Sequence, residues 1–186
     1  MKLHIRNMVC NRCNMAVQAQ LEAFGWHVQA IALGEAEVEE TLTDEEKEQL
    51  NTALLALGFE LIDDRKSKLV ERIKNILVTC AHYTDGPLKT TLSEHIAAQL
   101  HHDYSYLSKL FTEAEGTTIE QYFIAQRIER VKELLVYDEE SLGQIADRLH
   151  YSSVSHLSKQ FRKVTGLTPT SFRQQGKHNR KPLDEL

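Results

Sequence analysis

The feature that most constrains this chain is a repeat. Ser105-Tyr106-Leu107-Ser108-Lys109-Leu110-Phe111-Thr112-Glu113-Ala114-Glu115-Gly116 returns fifty positions later as Ser155-His156-Leu157-Ser158-Lys159-Gln160-Phe161-Arg162-Lys163-Val164-Thr165-Gly166. The Ser, Leu, Ser, Lys, Phe and Gly positions are identical. Upstream, Ile96-Ala97-x-x-Leu100 matches Ile145-Ala146-x-x-Leu149 at an offset of 49, so the second copy has gained one residue in its turn. Downstream, Thr118 matches Thr168. A segment that recurs this way is one supersecondary unit used twice. Each copy reads as a short helix with a small Ala inside it, a turn, and a second helix opening on polar residues. That is a helix-turn-helix, in which the small residue permits a close helix crossing. Leu107 with Phe111, and Leu157 with Phe161, stand at i and i+4 and anchor each second helix to a core.

The faces left outside carry Ser105, Ser108 and Lys109 in copy one, and Ser155, Ser158 and Lys159 in copy two. Polar side chains near the start of an exposed helix are what reading base edges in a major groove requires. Between the copies, Ile119, Phe123, Ile124, Ile128, Val131, Leu134 and Leu135 form a helical apolar stripe over residues 118–137. A helix of about 18 residues spans about 27 Å. Successive major-groove segments on one face of DNA lie about 34 Å apart, so such a connector would set both heads on adjacent turns. The copies differ in charge: Glu113 and Glu115 follow Phe111, whereas Arg162 and Lys163 follow Phe161. Copy two is therefore expected to supply more of the phosphate affinity, and copy one to rely on Tyr104, Ser105, Ser108 and Lys109 for reading. His101, His102 and His150 fall at helix–turn junctions and are read as turn or phosphate contacts, not as a metal cluster.

Charge separates the chain into two parts. Of its 186 residues, 1–64 carry a net charge of −8 and 65–186 a net charge of +3. From Lys159 to Lys181 there are seven Lys or Arg and no acid, so the C-terminal part is the one suited to a polyanion. A hydrophobic content of 41% excludes a disordered chain. No apolar run approaches the ~20 residues of a membrane span, and no secretory h-region is visible, so no membrane partner is expected. Three cysteines exclude a disulfide scaffold and point to a reducing cytoplasm.

The acidic N-terminal part alternates between strand and helix patterns. Lys2–Asn7 reads as a strand, Cys13–Phe24 as a helix stopped by Gly25, and 26–33 and 36–42 as two strands around a Gly34-Glu35 turn. Thr43-x-x-Glu46 has the form of a capping box ahead of a helix carrying Leu50, Ala53, Leu54 and Leu57. Residues 59–62 close the series as a fourth strand. The order β-α-β-β-α-β is the ferredoxin-like one. Trp26 is expected in its core, and His4 and His27 as surface or core polar residues rather than ligands. Cys10 and Cys13 sit three positions apart at the first strand-to-helix junction, where a helix N-terminus and Arg12 should lower a thiol pKa. Soft thiolates select Cu(I) or Zn(II), and two of them fill a linear site but half of a tetrahedral one. A redox dithiol and a site with neither role are the alternatives. Cys80, on the apolar face of the next helix, reads as an ordinary buried thiol.

Two resemblances follow. Residues 3–62 resemble the heavy-metal-associated domain of copper chaperones and copper ATPases, in Met8-x-Cys10-x-x-Cys13, Ala36-Glu37-Val38 and Gly58-Phe59; Asn7 departs from that family's usual Gly. The resemblance implies a soft metal ion, Cu(I) or similar, on Cys10 and Cys13. Residues 68–175 resemble the DNA-binding domain of AraC/XylS transcriptional regulators. The tokens are Tyr106-Leu107-Ser108-Lys109-x-Phe111, Arg127-Ile128-Glu129-Arg130-x-Lys132-x-Leu134-Leu135, Ile145-Ala146-x-x-Leu149-x-Tyr151-Ser152-Ser153 and Phe161-Arg162-Lys163-x-x-Gly166-x-Thr168-Pro169-x-x-Phe172-Arg173. That resemblance implies binding to a double-stranded operator, with Ser153, Ser155, Ser158, Lys159, Arg162, Lys163 and Arg173 of the second copy added to the contact set, and RNA polymerase and a second copy of the chain as further partners.

The expectation is thus an α+β chain. A ferredoxin-like domain spans 1–63, a linker 64–67, an all-α domain with two helix-turn-helix motifs joined by a central helix 68–176, and a basic-to-acidic tail 177–186. The expected function is a sequence-specific transcriptional regulator responsive to a soft metal or to thiol redox state. The competing reading is a metal-trafficking protein with a helical docking module. No nucleophile–base arrangement, phosphate-cradling Gly loop or organic-cofactor fingerprint points to an enzyme.

Overall fold

The computed structural model of the chain describes residues 1–62, 65–84, 86, 88–137 and 140–175. The backbone forms two compact units, Met1–Asn75 and Ile76–Leu186. In the first, β1 (Lys2–Arg6), α1 (Asn11–Ala23), β2 (Val28–Ala32), β3 (Glu35–Val38), α2 (Asp44–Leu55) and β4 (Glu60–Ile62) follow in that order. The strands make one antiparallel sheet in the order β2-β3-β1-β4, with Leu3 opposite Ala36 and Ile5 opposite Leu61. The alternation in β1 sets its buried face: Leu3 and Ile5 are buried while Lys2 is exposed. They join Met8, Val17, Leu21, Leu50 and Leu54 in one core.

Local signals act as expected in α2. The Thr43 side chain accepts the Glu46 backbone N–H, and the Glu46 carboxylate accepts the Thr43 backbone N–H at 2.7 Å. Three acids in the first turn complement the helix dipole. Leu57, expected on the buried face, is exposed because the helix ends at Leu55. Trp26 is buried and stacks on Phe24 at 4.9 Å.

Residues 65–67, read from sequence as linker, are already the first turn of α3 (Arg65–His82); Asp63 and Asp64 lie outside the described residues, as does the 177–186 tail. The division between the units falls inside this helix, after Asn75. Within the first unit, three contacts hold α3. Glu71 Oε1 accepts the Asn7 backbone N–H at 2.9 Å, Arg72 stands 3.9 Å from Glu35, and Asn75 Nδ2 donates to the Leu33 carbonyl at 3.1 Å. Asn7 has φ 71°, the left-handed region that Asn tolerates better than most side chains.

The second unit contains α4 (Leu92–Leu100), α5 (Tyr104–Glu115), α6 (Ile119–Tyr137), α7 (Leu142–Arg148), α8 (Val154–Thr165) and α9 (Pro169–Gln175). The repeat is structural. α4 and α7 both open with capping boxes, Thr91 with Glu94 and Ser141 with Gln144. His101 and His150 are both left-handed, at φ 54° and 53°, in the two turns. Phe111 meets Tyr122, and Phe161 meets Phe172, edge-on with centroids 5.5 Å apart in each case. α6 packs against α5, α7, α8 and α9. It buries Ile119, Ile128, Val131, Leu134 and Leu135 as the stripe required, but Phe123 and Ile124 are only half-buried, and Tyr122 takes the core position.

Gly34, in the β2–β3 turn, tests how α3 is held. Its φ is 79°, and a Cβ there would lie 2.0 Å from Asn75 Nδ2. Gly34→Ala should lower unfolding stability by about 1–3 kcal/mol in a urea titration. Asn75→Ala in the same chain should recover part of that loss, whereas strictly additive losses would show that the two residues do not meet.

Candidate nucleic-acid interface and thiol site

The second helix of each helix-turn-helix shows what it can present to a ligand. In α8, Leu157 and Phe161 are buried, which turns Ser155, His156, Lys159, Arg162 and Lys163 outward. Ser158, expected on this face, is half-buried beside the core edge. Ser153 is exposed but serves as the N-cap, its side chain accepting the His156 backbone N–H at 3.1 Å. His156 was missed by sequence reasoning. Its Nδ1 lies 3.0 Å from Ser152 Oγ and its ring packs edge-on against Tyr151. Its spacing of three and seven residues from Lys159 and Lys163 was the available signal.

In α5, Leu107, Leu110 and Phe111 are buried, leaving Ser105, Tyr106, Lys109, Thr112 and Glu113 outward and Ser108 half-buried. Two expected readers are already engaged. The Tyr104 hydroxyl donates to the Glu120 carboxylate; burial first, and then that carboxylate, push its pKa well up. Lys109 Nζ lies 3.9 Å from Glu113. Arg173, expected at the interface, is half-buried and donates from Nη2 to the Glu140 carbonyl at 2.8 Å. Its guanidinium is thereby an internal brace of the second copy, which corrects its expected exposure.

Arg127 of α6 orients the second head. Its guanidinium lies 4.0 Å from the Tyr151 ring centroid and donates to the Leu149 carbonyl. Both partners belong to the α7–α8 turn, so the helix that links the heads also sets the angle of the second one. Nearby, the buried Lys132 and Glu129 form an ion pair, and Lys132 sits 6.0 Å from the Phe172 ring.

Residues 96–175 match the family described as "Helix-turn-helix domain". The C-terminal domain of AraT, a response regulator from Geobacillus stearothermophilus, superposes with a TM-score of 0.52 at 25% identity, covering 62% of this chain and 92% of that one. Residues 96–175 form a helix-turn-helix domain of the AraC type. The HTH-type transcriptional regulator YtdP of Bacillus subtilis (strain 168) is 29% identical over 156 residues, 80% of this chain and 20% of that protein. The regulatory protein PocR of Salmonella typhimurium is 33% identical over 101 residues, 54% of this chain and 33% of its own length. The chain thus spans a third or less of these two relatives. Both are named as regulators, in agreement with the expectation that no enzyme would be found. Among the described residues no helix is long and apolar enough to cross a membrane.

Ahead of the helix-turn-helix domain, Cys10 stands at the N-cap of α1 and Cys13 in its first turn. Both are half-buried, with their sulfurs 3.3 Å apart. Met8 is wholly buried in the core, while Met15 is exposed. Among the described residues no group of three or more His, Cys, Asp or Glu is placed to hold a metal ion. His4 lies beside Glu35 at 3.5 Å with its pKa lowered mainly by burial; His27 is exposed and bonded to Glu40, which raises its pKa. The thiol expectation needs correcting. Burial pushes the Cys13 thiol up, the Cys10 side chain adds to this, and the backbone contacts of Val9 and Cys10 only partly oppose it. Burial likewise raises Cys80.

Alkylation of Cys13 followed by peptide mass spectrometry against pH should therefore show a midpoint above the usual cysteine value of about 8.5. A midpoint below that value would show that the helix N-terminus outweighs burial.

Proposed function

We propose that this chain is a sequence-specific regulator of transcription that binds double-stranded DNA and reports a soft metal ion, or thiol redox state, through Cys10 and Cys13. The observation that carries the DNA half is the outward face of α8. Lys159, Arg162 and Lys163 project from a helix whose other side is locked into the core by Leu157 and Phe161. A cationic helix face on a rigid head is suited to phosphate and to the acceptor-rich edge of guanine. The regulator names of the relatives support the transcriptional role. α6, with 19 residues, is about 28 Å long, so the scaffold offers two heads at roughly the spacing of adjacent major-groove segments.

The sensing half rests on chemistry and topology. The order β1-α1-β2-β3-α2-β4 with sheet order β2-β3-β1-β4 supports the ferredoxin-like, heavy-metal-associated reading. A soft ion such as Cu(I) would be held by the thiolates of Cys10 and Cys13. At ~2.3 Å per metal–sulfur bond, a linear pair needs about 4.6 Å between sulfurs, so the 3.3 Å pair would have to open. Two features of the chain make that opening consequential. Both thiol protons must leave, so metal affinity should rise with pH. Asn7, one residue ahead of the Met8–Cys13 loop, is tied through its backbone N–H to Glu71 of α3, the helix that continues to His82. Movement of the loop thus acts on the helix that leads toward the DNA-binding domain. Coupling of this kind is a shift in population between DNA-competent states.

Selection from a random duplex library, followed by mobility shift with the full chain, tests the DNA half. Arg162→Ala should weaken binding to every duplex alike and reduce the salt slope by about one, while Lys159→Ala should cost about 1–3 kcal/mol on the selected sequence and less elsewhere. Cu(I) titration tests the other half. One equivalent should change operator affinity, and operator should change Cu(I) affinity by the same factor. Replacing Cys10 and Cys13 by Ser should abolish both effects and leave apo DNA binding intact. An operator affinity indifferent to Cu(I) and to thiol oxidation would overturn the sensing half alone.

A further inference from the structure

The two heads share one fold and opposite electrostatics, and this decides how DNA is engaged. Equivalent outward positions pair Ser105 with Ser155, Tyr106 with His156, Lys109 with Lys159, Thr112 with Arg162, and Glu113 with Lys163. The α8 segment 153–166 holds three cations and no acid. The α5 segment 103–116 holds one cation and three acids, Asp103, Glu113 and Glu115, and its single cation stands against Glu113. The helix starts differ in the same sense. Asp103 caps α5 and accepts both the Ser105 and Tyr106 backbone N–H groups, at 2.8 and 3.2 Å. Those amides, which would otherwise face an anion, are taken by a carboxylate. α8 is capped by the neutral Ser153. Glu120 adds another carboxylate at the α5 end, bonded to Tyr104.

We propose that DNA enters this domain through α8 alone, and that Glu113 holds the α5 head off the duplex. The proposal rests on the DNA-binding reading above and adds which head is used. Its physical basis is counterion release. Each phosphate neutralised by a cation contributes, and a carboxylate within the Debye length of about 8–10 Å opposes. An acid on a reading helix can instead accept from the amino group of cytosine. Glu113 is not placed for that, because base edges meet the N-terminal residues of a recognition helix and Glu113 lies in the last turn of α5. Its neighbours toward the duplex would be phosphates. The geometry of α6 supplies two heads at groove spacing, while the charge of the first leaves one in use.

The test uses the full chain, a selected duplex, hydroxyl-radical footprinting and affinity measured against salt. Wild type should protect one major-groove segment. Lys159→Ala should weaken binding about tenfold, and Lys109→Ala should change it by less than about twofold. Glu113→Lys should tighten binding to any duplex, raise the salt slope by about one, and extend protection to a second segment one helical turn away. Glu113→Gln, which removes charge without adding any, should move affinity in the same direction by less, with helical circular dichroism unchanged. Protection of two segments by wild type overturns the proposal. So does a Lys109→Ala loss equal to that of Lys159→Ala, or a folded Glu113→Lys chain that binds no tighter. A wild-type chain that binds no duplex even at low salt overturns the DNA-binding reading beneath it instead.

Discussion

Packing of α6 is the constraint on which the helical unit depends. A single helix forms part of the first head, through Ile119 and Tyr122, and the floor of the second, through Ile128, Val131, Leu134 and Leu135. An apolar stripe alone would hold the second head without fixing its angle. Arg127 adds direction, because a cation over an aromatic ring and a donated hydrogen bond to a carbonyl are satisfied together in only one arrangement. The Lys132–Glu129 pair on the same helix is also buried. Such a pair contributes little net stability, but removing one partner strands the other charge.

With the scaffold set by buried residues, the exposed residues were left to diverge. Leu107 and Leu157, and Phe111 and Phe161, are identical and fully buried at equivalent positions of the two heads. Thr112 and Arg162, or Glu113 and Lys163, meet solvent and answer to whatever approaches from outside. A polyanion distinguishes the two faces by several unit charges even though their backbones correspond. Equivalence of fold is therefore no guide to equivalence of use.

The N-terminal unit follows a similar logic on a smaller scale. Its two thiols sit where a helix dipole favours thiolate, yet partial burial in the first turn of α1 favours the protonated form of Cys13. Asn7, in a left-handed conformation that most side chains avoid, connects the loop ahead of α1 to α3 by donating its backbone N–H to the Glu71 carboxylate.

Much of this was legible in the residues themselves. The fifty-residue repeat announced two equivalent heads, because identical apolar residues at helical spacing must bury against equivalent partners. The Thr43–Glu46 capping box marked the start of α2, since that pairing is local to four residues. Cys10 and Cys13 were visibly a pair because a helix start brings positions three apart together. Long-range contacts were not legible. Tyr104 and Arg173 read as reaching outward, and only the packed structure turns one toward Glu120 and the other toward the Glu140 carbonyl. Ser108 and Ser158 lie at the boundary of the buried arc, where spacing alone does not tell inside from outside. Residues 65–67 looked like a linker, yet they are the first turn of α3, a helix whose Glu71, Arg72 and Asn75 gain partners from strands and turns far away in sequence. By itself, then, the sequence determined which elements form, that the helical heads are two, and which residues could carry charge or bind sulfur-loving ligands. The tertiary structure decided which of those charges remain available and that Cys13 holds its proton more tightly, because burial and partner choice depend on residues brought together only when the chain packs.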